Sequence, residues 1–330
     1  MTAIYFSDEP NQLRQIYTKR IHAVLEKEAA LPHRIFRKED GKENPCQFST
    51  VESIFSTWGM PQMTEEEIAQ YFPRLKYVFY AAGSVQSFAR PFLRKGVRVF
   101  SAAEANAIPV AEYAAAAILL ANKGFFQAAR IHEHKDKYAH SVLHPGNYGA
   151  IVGIIGAGKI GSLVIEKLSN IDVQTVVYDP FCTEERAAAL GAKKISLSEL
   201  FEKSDVISNH LPNNASTVGM LNYDLFSRMK PWATFLNTGR GAQVVEEDLI
   251  RAMREKPQAT AILDVTWPEP CPPDHPFRML QNVFLTPHIA GSMNQETERM
   301  AQYMLEEWVR IQKGEPPHYE VSLDSLENMA

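Results

Sequence analysis

Cysteine is scarce: three residues in 330, Cys46, Cys182 and Cys271, far apart and in no CxxC spacing. That usage excludes a disulfide framework, offers no cysteine metal site and suits a reducing compartment. Basic excess is missing too. Against 34 Lys and Arg stand 39 Asp and Glu, a formal net charge of -5, with no long block of one sign, so nucleic acid is not an expected partner. No apolar run of about 18 residues appears, and the opening MTAIYFSDEPNQLRQ carries neither a basic and apolar leader nor an Arg- and Ser-rich transit pattern. The expectation is a soluble, cytoplasmic protein with no membrane contact. With 45% hydrophobic and 22% charged residues, the chain is ordinary globular material, long enough for two domains of roughly 100 to 200 residues each.

What is present is alternation. The first hundred residues set short apolar runs (AIYF, VESIF, YVFY, VRVF) against helical patterns such as NQLRQIYTKRIHAVLEKEAA, a small α/β unit without any glycine-rich phosphate loop. A long alanine-rich helix is expected from about Val110, with Pro109 as its start signal, linking this unit to the next. From Ala150 strands and helices alternate strictly (AIVGII, VQTVVY, DVISNH, ATFLN, ATAILD, NVFL), the pattern of right-handed βαβ units in a mostly parallel, doubly wound sheet. WPEPCPPDHP marks a long loop. A last helix is expected from about Asn294 to Lys313, returning to the first unit.

GIIGAGKIG places Gly156, Gly158 and Gly161 in GxGxxG between an apolar strand and a helix. The first glycine permits a tight turn, the second lets backbone approach a pyrophosphate, and the third allows close helix packing; the helix N-terminus supplies amides for the anion. Alone, the motif competes with a plain glycine turn. The next strand ends in Asp179, where an acid would take a ribose, and no arginine follows closely enough to welcome a 2′-phosphate, so NAD is preferred over NADP. The plainer reading of Asp179 is a helix cap.

Polar residues that look out of place all fall at carboxyl ends of expected strands, where open α/β sheets bind ligands: Asp179, His210, Arg240, Asp264 and His288. Each has a structural alternative. His210 and His288 could satisfy backbone, Arg240 could be a solvated turn residue, and Asp264 could cap a loop. Arg240 is flanked by Gly239 and Gly241, which would let a ligand come close while the guanidinium fork meets a carboxylate. The HEH at 132–134, with His140 and His144 nearby, does not make a ligand set, because residues two apart face different sides of a helix. No metal is expected.

Five stretches, in order VGIIGAGKIG, HLPNNAST, FLNTGRG, LDVTWPEP and LTPHIAGS, resemble the D-isomer-specific 2-hydroxyacid dehydrogenases, a family that includes phosphoglycerate, glycerate and D-lactate dehydrogenases. The resemblance covers roughly residues 70 to 315. It implies a doubly wound Rossmann domain, residues 111–293, that binds NAD. It also implies a smaller discontinuous α/β substrate domain, built from residues 1–110 and from a return helix and tail, 294–330. By motif, the pyrophosphate would lie on Gly156, Gly158, Lys159, Ile160 and Gly161, and the adenosine ribose on Asp179. His210, Pro212, Thr238, Gly239, Arg240, Asp264, His288 and Gly291 would line the rest of the cofactor, with Asp264 on the nicotinamide carboxamide. Arg240 resembles the family's substrate-binding arginine, His288 its acid/base and Glu269 the histidine's partner. A homodimer is the implied assembly.

The residue types suit the chemistry independently. Reducing a 2-oxo acid to a D-2-hydroxy acid takes a hydride at C2 and a proton at the carbonyl oxygen, so a group that exchanges protons near neutral pH is needed. An arginine would hold the carboxylate and polarise the carbonyl, and a carboxylate would orient the imidazole. One stretch departs from the family: where G-x-G-V-D is frequent, this chain has AGSVQ, with Ala82, Gly83, Ser84 and Val85 as the substrate-binding loop and Ser84 in place of a glycine. The identity of the 2-oxo acid therefore stays open. Two further readings stay open as well. A non-enzymatic, NAD(H)-sensing corepressor uses the same fold, and a formate-type dehydrogenase would ask for glutamine at Glu269.

Overall fold

The computed structural model describes residues 2–130 and 144–326; the HEH motif and His140 lie outside them. Contacts divide the chain into two compact units, residues 1–106 with 292–330, and residues 107–291. These crossings lie a few residues before the expected boundaries at 110 and 293. They are set inside the first unit, where the Asn106 side-chain carbonyl accepts the Ser292 amide at 3.0 Å.

The first unit is built on β1 (Thr2–Phe6), β2 (Ile35–Phe36), β3 (Val51–Ser56), β4 (Tyr77–Tyr80) and β5 (Arg98–Ser101). Their order is β2-β1-β3-β4-β5, all parallel, and a final strand, Glu320–Val321, pairs antiparallel with β5. Phe55, Phe79 and Phe100 on three neighbouring strands stack with ring centroids 5.0 Å apart, and all are fully buried. The pattern that predicts one helix over residues 11–30 forms two, Pro10–Ile16 and Lys19–Ala29. Thr18 restarts the helix, since its hydroxyl accepts the Ile21 amide as an N-cap.

The second unit carries β6 (Ile151–Ile155), β7 (Gln174–Tyr178), β8 (Lys193–Lys194), β9 (Val206–Asn209), β10 (Thr234–Asn237), β11 (Thr260–Leu263) and β12 (Val283–Leu285). They form one parallel sheet in the order β12-β11-β10-β9-β6-β7-β8. Alternation divides its two faces. Ile155, Ile207, Phe235 and Leu263 pack with Leu200, Phe201, Leu249 and Met253, while Val152, Ile154, Leu236 and Ile262 pack with Val164, Ile165, Leu168 and a row of alanines. Both faces are covered, as an all-parallel sheet requires.

Those alanines belong to the helix Ala103–Asn122, which corrects two expectations. It starts earlier than Val110, because the Ser101 hydroxyl accepts the Ala103 amide at 3.2 Å, and Pro109 lies within it at the loss of one ladder bond. By length and a mean hydropathy of 1.2 it is also long and apolar enough to cross a membrane, although no such run was expected. Ala111, Ala114, Ala117, Ile118 and Ala121 are nonetheless buried in the core of the second unit.

Candidate active site

Because every strand of the second sheet runs the same way, the residues that follow the strands collect along one edge. The strand order reverses between β6 and β9, and such a switch point is where open α/β sheets bind ligands. There Gly156 takes φ 91°, a conformation that strains any side chain, and a Cβ would stand 2.9 Å from the His210 carbonyl oxygen. A methyl on Gly161 would overlap the Gly156 carbonyl, whereas one on Gly158 would meet nothing within 4 Å. Gly158 is the N-cap of the helix Lys159–Leu168 and has no side chain to satisfy the first amides. The exposed backbone and helix N-terminus fit a dinucleotide pyrophosphate.

Asp179 holds this loop together. Its carboxylate accepts the Ala157 amide at 2.7 Å, and those of Phe181 and Cys182 at 2.7 and 3.1 Å. The capping alternative therefore describes real bonds, though a carboxylate with about four acceptor positions retains room for a ribose hydroxyl. One expectation is corrected: an arginine does stand close by. Arg186, one turn into the helix Glu184–Ala189, donates to the Ala157 carbonyl at 3.0 Å.

His210 is buried between Ser208 and Thr238, 2.8 and 3.3 Å from its two ring nitrogens. Burial pushes its pKa down to about 3. An unfolded histidine titrates near 6.5, so unfolding takes up a proton below that pH. This stabilisation is complete above about pH 6.5 and is lost as the pH falls toward 3, amounting to about 2 kcal/mol by pH 5. Urea midpoints at pH 7 and pH 5 should show a flatter dependence in His210→Asn than in the wild type; equal slopes would assign the acid sensitivity to other groups.

The histidine of LTPHIAGS sits in a constrained turn after β12. His288 has φ 56°, uncommon for a residue with a side chain and sustained only where the surroundings over-determine it. Asp264 does so. Its two carboxylate oxygens accept the Thr286 hydroxyl at 2.6 Å and the amides of Ile289 and Ala290 at 2.8 and 2.9 Å, and its backbone carbonyl takes the His288 amide at 3.0 Å. Asp264 thus organises the loop, as its structural alternative held. So placed, His288 Nδ1 lies 2.5 Å from Glu269 Oε1, and Nε2 is the nitrogen that remains to face a substrate.

Glu269 sits in the proline-rich loop, which Glu246 anchors on both sides. One Glu246 oxygen accepts the Trp267 amide at 2.8 Å and the other lies 3.2 Å from His275 Nε2; burial raises the Glu246 pKa. Arg240 follows β10. Its Nη1 donates to the Gly239 carbonyl at 2.8 Å, burial lowers its pKa, and the Glu269 charge opposes that shift. The flanking glycines, expected to admit a ligand, instead admit the protein itself. A Cβ on Gly241 would overlap the Thr266 backbone, and one on Gly239 would stand 2.6 Å from Gln243 Oε1.

Gln243 is the residue that sequence reasoning missed. Fully buried, it donates to the carbonyls of Leu211 and Pro212, both at 2.8 Å, and accepts the Asn209 side chain at 2.6 Å and the Arg240 amide at 3.1 Å. It therefore ties the ends of β9 and β10 together beneath Thr238 and Arg240. Its signal was an amide side chain three residues after the arginine.

In the first unit, Ala82–Val85 follow β4. The Ser101 hydroxyl donates to the carbonyls of Ala82 and Gly83, at 3.1 and 2.6 Å. Gly83 and Ser84 are half-buried and Val85 is buried.

A parallel sheet with a glycine loop at its switch point defines a dinucleotide-binding α/β protein. Residues 115–290 match the NAD binding domain of the D-isomer specific 2-hydroxyacid dehydrogenases. The chain is 31% identical over 80% of its length to D-3-phosphoglycerate dehydrogenase from Archaeoglobus fulgidus, 50% of which is covered. It is 32% identical over 77% of its length to glyoxylate reductase from Korarchaeum cryptofilum, 78% of which is covered. The chain thus spans about half the length of that phosphoglycerate dehydrogenase relative. Among solved structures, D-mandelate dehydrogenase from Rhodotorula graminis shares the fold, with a TM-score of 0.81, 19% identity and 97% of each chain covered. The chain belongs to the D-isomer specific 2-hydroxyacid dehydrogenase family.

Proposed function

We propose that the protein is an NAD-dependent oxidoreductase that interconverts a 2-oxo acid and a D-2-hydroxy acid. The observation that carries this reading is the His288–Glu269 pair, 2.5 Å apart, on the edge that also presents Arg240 and the glycine loop. When bound, the nicotinamide supplies or takes the hydride. The chain's own groups do the rest. Glu269 fixes the imidazole through Nδ1 and His288 Nε2 gives or takes the proton of the substrate oxygen. The guanidinium edge of Arg240 that is not bonded to Gly239 grips the carboxylate and polarises the carbonyl. A panel of 2-oxo acids with NADH, followed by NADH absorbance, tests the reading: tight NADH binding without turnover of any acid would favour the sensing role instead. Homodimer assembly is proposed on the family resemblance and is checked by sedimentation.

The cofactor preference is proposed to rest on Asp179, whose carboxylate would accept ribose hydroxyls and repel a 2′-phosphate. NADH should bind at least about tenfold tighter than NADPH, roughly 1.4 kcal/mol. Asp179→Ala should narrow that gap from both sides: NADH loses an acceptor and the glycine loop its anchor, while Arg186 is left unopposed. Fluorescence titration of both cofactors decides it, and equal wild-type affinities would remove Asp179 from the role.

A further inference from the structure

A second cluster lies wholly within the first unit. On the helix Lys19–Ala29, His22 and Glu26 are one turn apart on the same face. The helix ends at Ala30 in the left-handed conformation, φ 48°, and buried Leu31 turns the chain back. This brings His33 over His22, with their Nε2 atoms 3.0 Å apart, and His33 Nε2 lies 3.7 Å from Glu26 Oε2. All three candidate ligand atoms fall within 4.8 Å of one another, the only such convergence of three among the described residues. Behind them, His22 Nδ1 lies 3.1 Å from the hydroxyl of Tyr5 on β1, and His22 and Tyr5 are both buried.

We propose that His22, Glu26 and His33 bind a divalent transition-metal ion of the zinc class. Zinc takes imidazole nitrogen and carboxylate oxygen at about 2.0 to 2.2 Å in a tetrahedron, so its ligand atoms stand about 3.3 Å apart. The observed 3.0 and 3.7 Å bracket that spacing, and rotation of the exposed Glu26 and His33 side chains closes the remainder. Ligation uses the lone pair on each Nε2, so the His22 proton must lie on Nδ1. The Tyr5 hydroxyl oxygen is placed to accept it, the outer-shell bond that fixes tautomer and ring orientation at histidine metal sites. Three protein ligands leave the fourth position to water, since Glu26 and His33 face solvent. The ion would clip the end of the helix to the segment that enters β2. Donor chemistry selects zinc, cobalt or nickel over magnesium or calcium, which prefer oxygen alone.

The test uses the full chain without a tag, stripped by a chelator, then titrated with Zn²⁺ against a chromogenic competitor and separately with Co²⁺ in the visible spectrum. One equivalent of Zn²⁺ should bind, Co²⁺ should give the absorption of a four-coordinate site, and Zn²⁺ should raise the urea midpoint. His33→Ala and Glu26→Gln, both at exposed positions, should each weaken Zn²⁺ binding by about tenfold or more and remove the rise in the urea midpoint. Far-UV circular dichroism and NADH affinity should stay unchanged. No saturable Zn²⁺ uptake by the wild type, or equal uptake by both variants, overturns the proposal.

Discussion

His288→Ala is expected to lower kcat for 2-oxo acid reduction by about 10² to 10⁴, the usual contribution of a positioned general acid, while NADH affinity changes little. The separation of the two effects follows from the structure. The pyrophosphate and adenosine ribose are proposed to lie on the glycine loop and Asp179, on the far side of the switch point from the β12 turn, so His288 adds at most one contact at the nicotinamide end. The turn is held by Asp264 through backbone amides and Thr286 rather than by the imidazole. Deleting the ring therefore leaves the loop's bonds in place and relieves nothing but its contact with Glu269. Alanine also tolerates φ 56° poorly, so a modest loss of stability should accompany the variant, and His288→Asn, which suits that conformation better, separates strain from chemistry. Both variants should be slow. If either one keeps most of the wild-type kcat in stopped-flow single turnovers, His288 is a residue of the turn and nothing more.

The strands that the sequence made legible are those of three to six residues whose apolar pattern reports their own burial. The three it concealed, Ile35–Phe36, Lys193–Lys194 and Glu320–Val321, each have two residues and each lie at a sheet edge. Pairing with a longer neighbour creates them, and no internal periodicity can announce that. Within the site, residue types at strand ends were readable because a parallel sheet sends every carboxyl end to one edge. Their bonds were not. Asp264 and Asp179 were legible as acids at the right places, yet the amides they accept come from loops whose course the sequence does not state. The glycines beside Arg240 pointed to a close approach, and the approaching group is the Thr266 backbone and the Gln243 side chain. Gln243, Arg186 and the pairing of His22 with His33 all depend on a return of the chain, which is tertiary information.

Arg240→Lys is expected to lower kcat/KM by roughly 10- to 150-fold, the equivalent of about 1.5 to 3 kcal/mol for one lost charge-assisted hydrogen bond. Charge alone would survive the change. Geometry would not, because the guanidinium is planar and already oriented: Nη1 is fixed on the Gly239 carbonyl at 2.8 Å, and the backbone amide is fixed on Gln243 at 3.1 Å. One nitrogen of the fork is thereby tied to the protein, and the proposal gives the remaining donors to the substrate. A lysine ammonium carries its three donors on one nitrogen and lacks the planar fork, so it cannot meet a carboxylate with two parallel bonds while also polarising the carbonyl. The loss should therefore divide between KM, for the carboxylate, and kcat, for the carbonyl oxygen on which charge develops. Gln243→Glu offers a contrast. It leaves the guanidinium intact and disturbs the buried amide network beneath it, so it should reduce thermal stability along with kcat/KM. Arg240→Lys should melt like the wild type and bind NADH as tightly. Steady-state kinetics with calorimetry on the two variants distinguishes a residue that touches substrate from one that positions it. Wild-type kinetics in Arg240→Lys would reduce Arg240 to a structural residue of the turn.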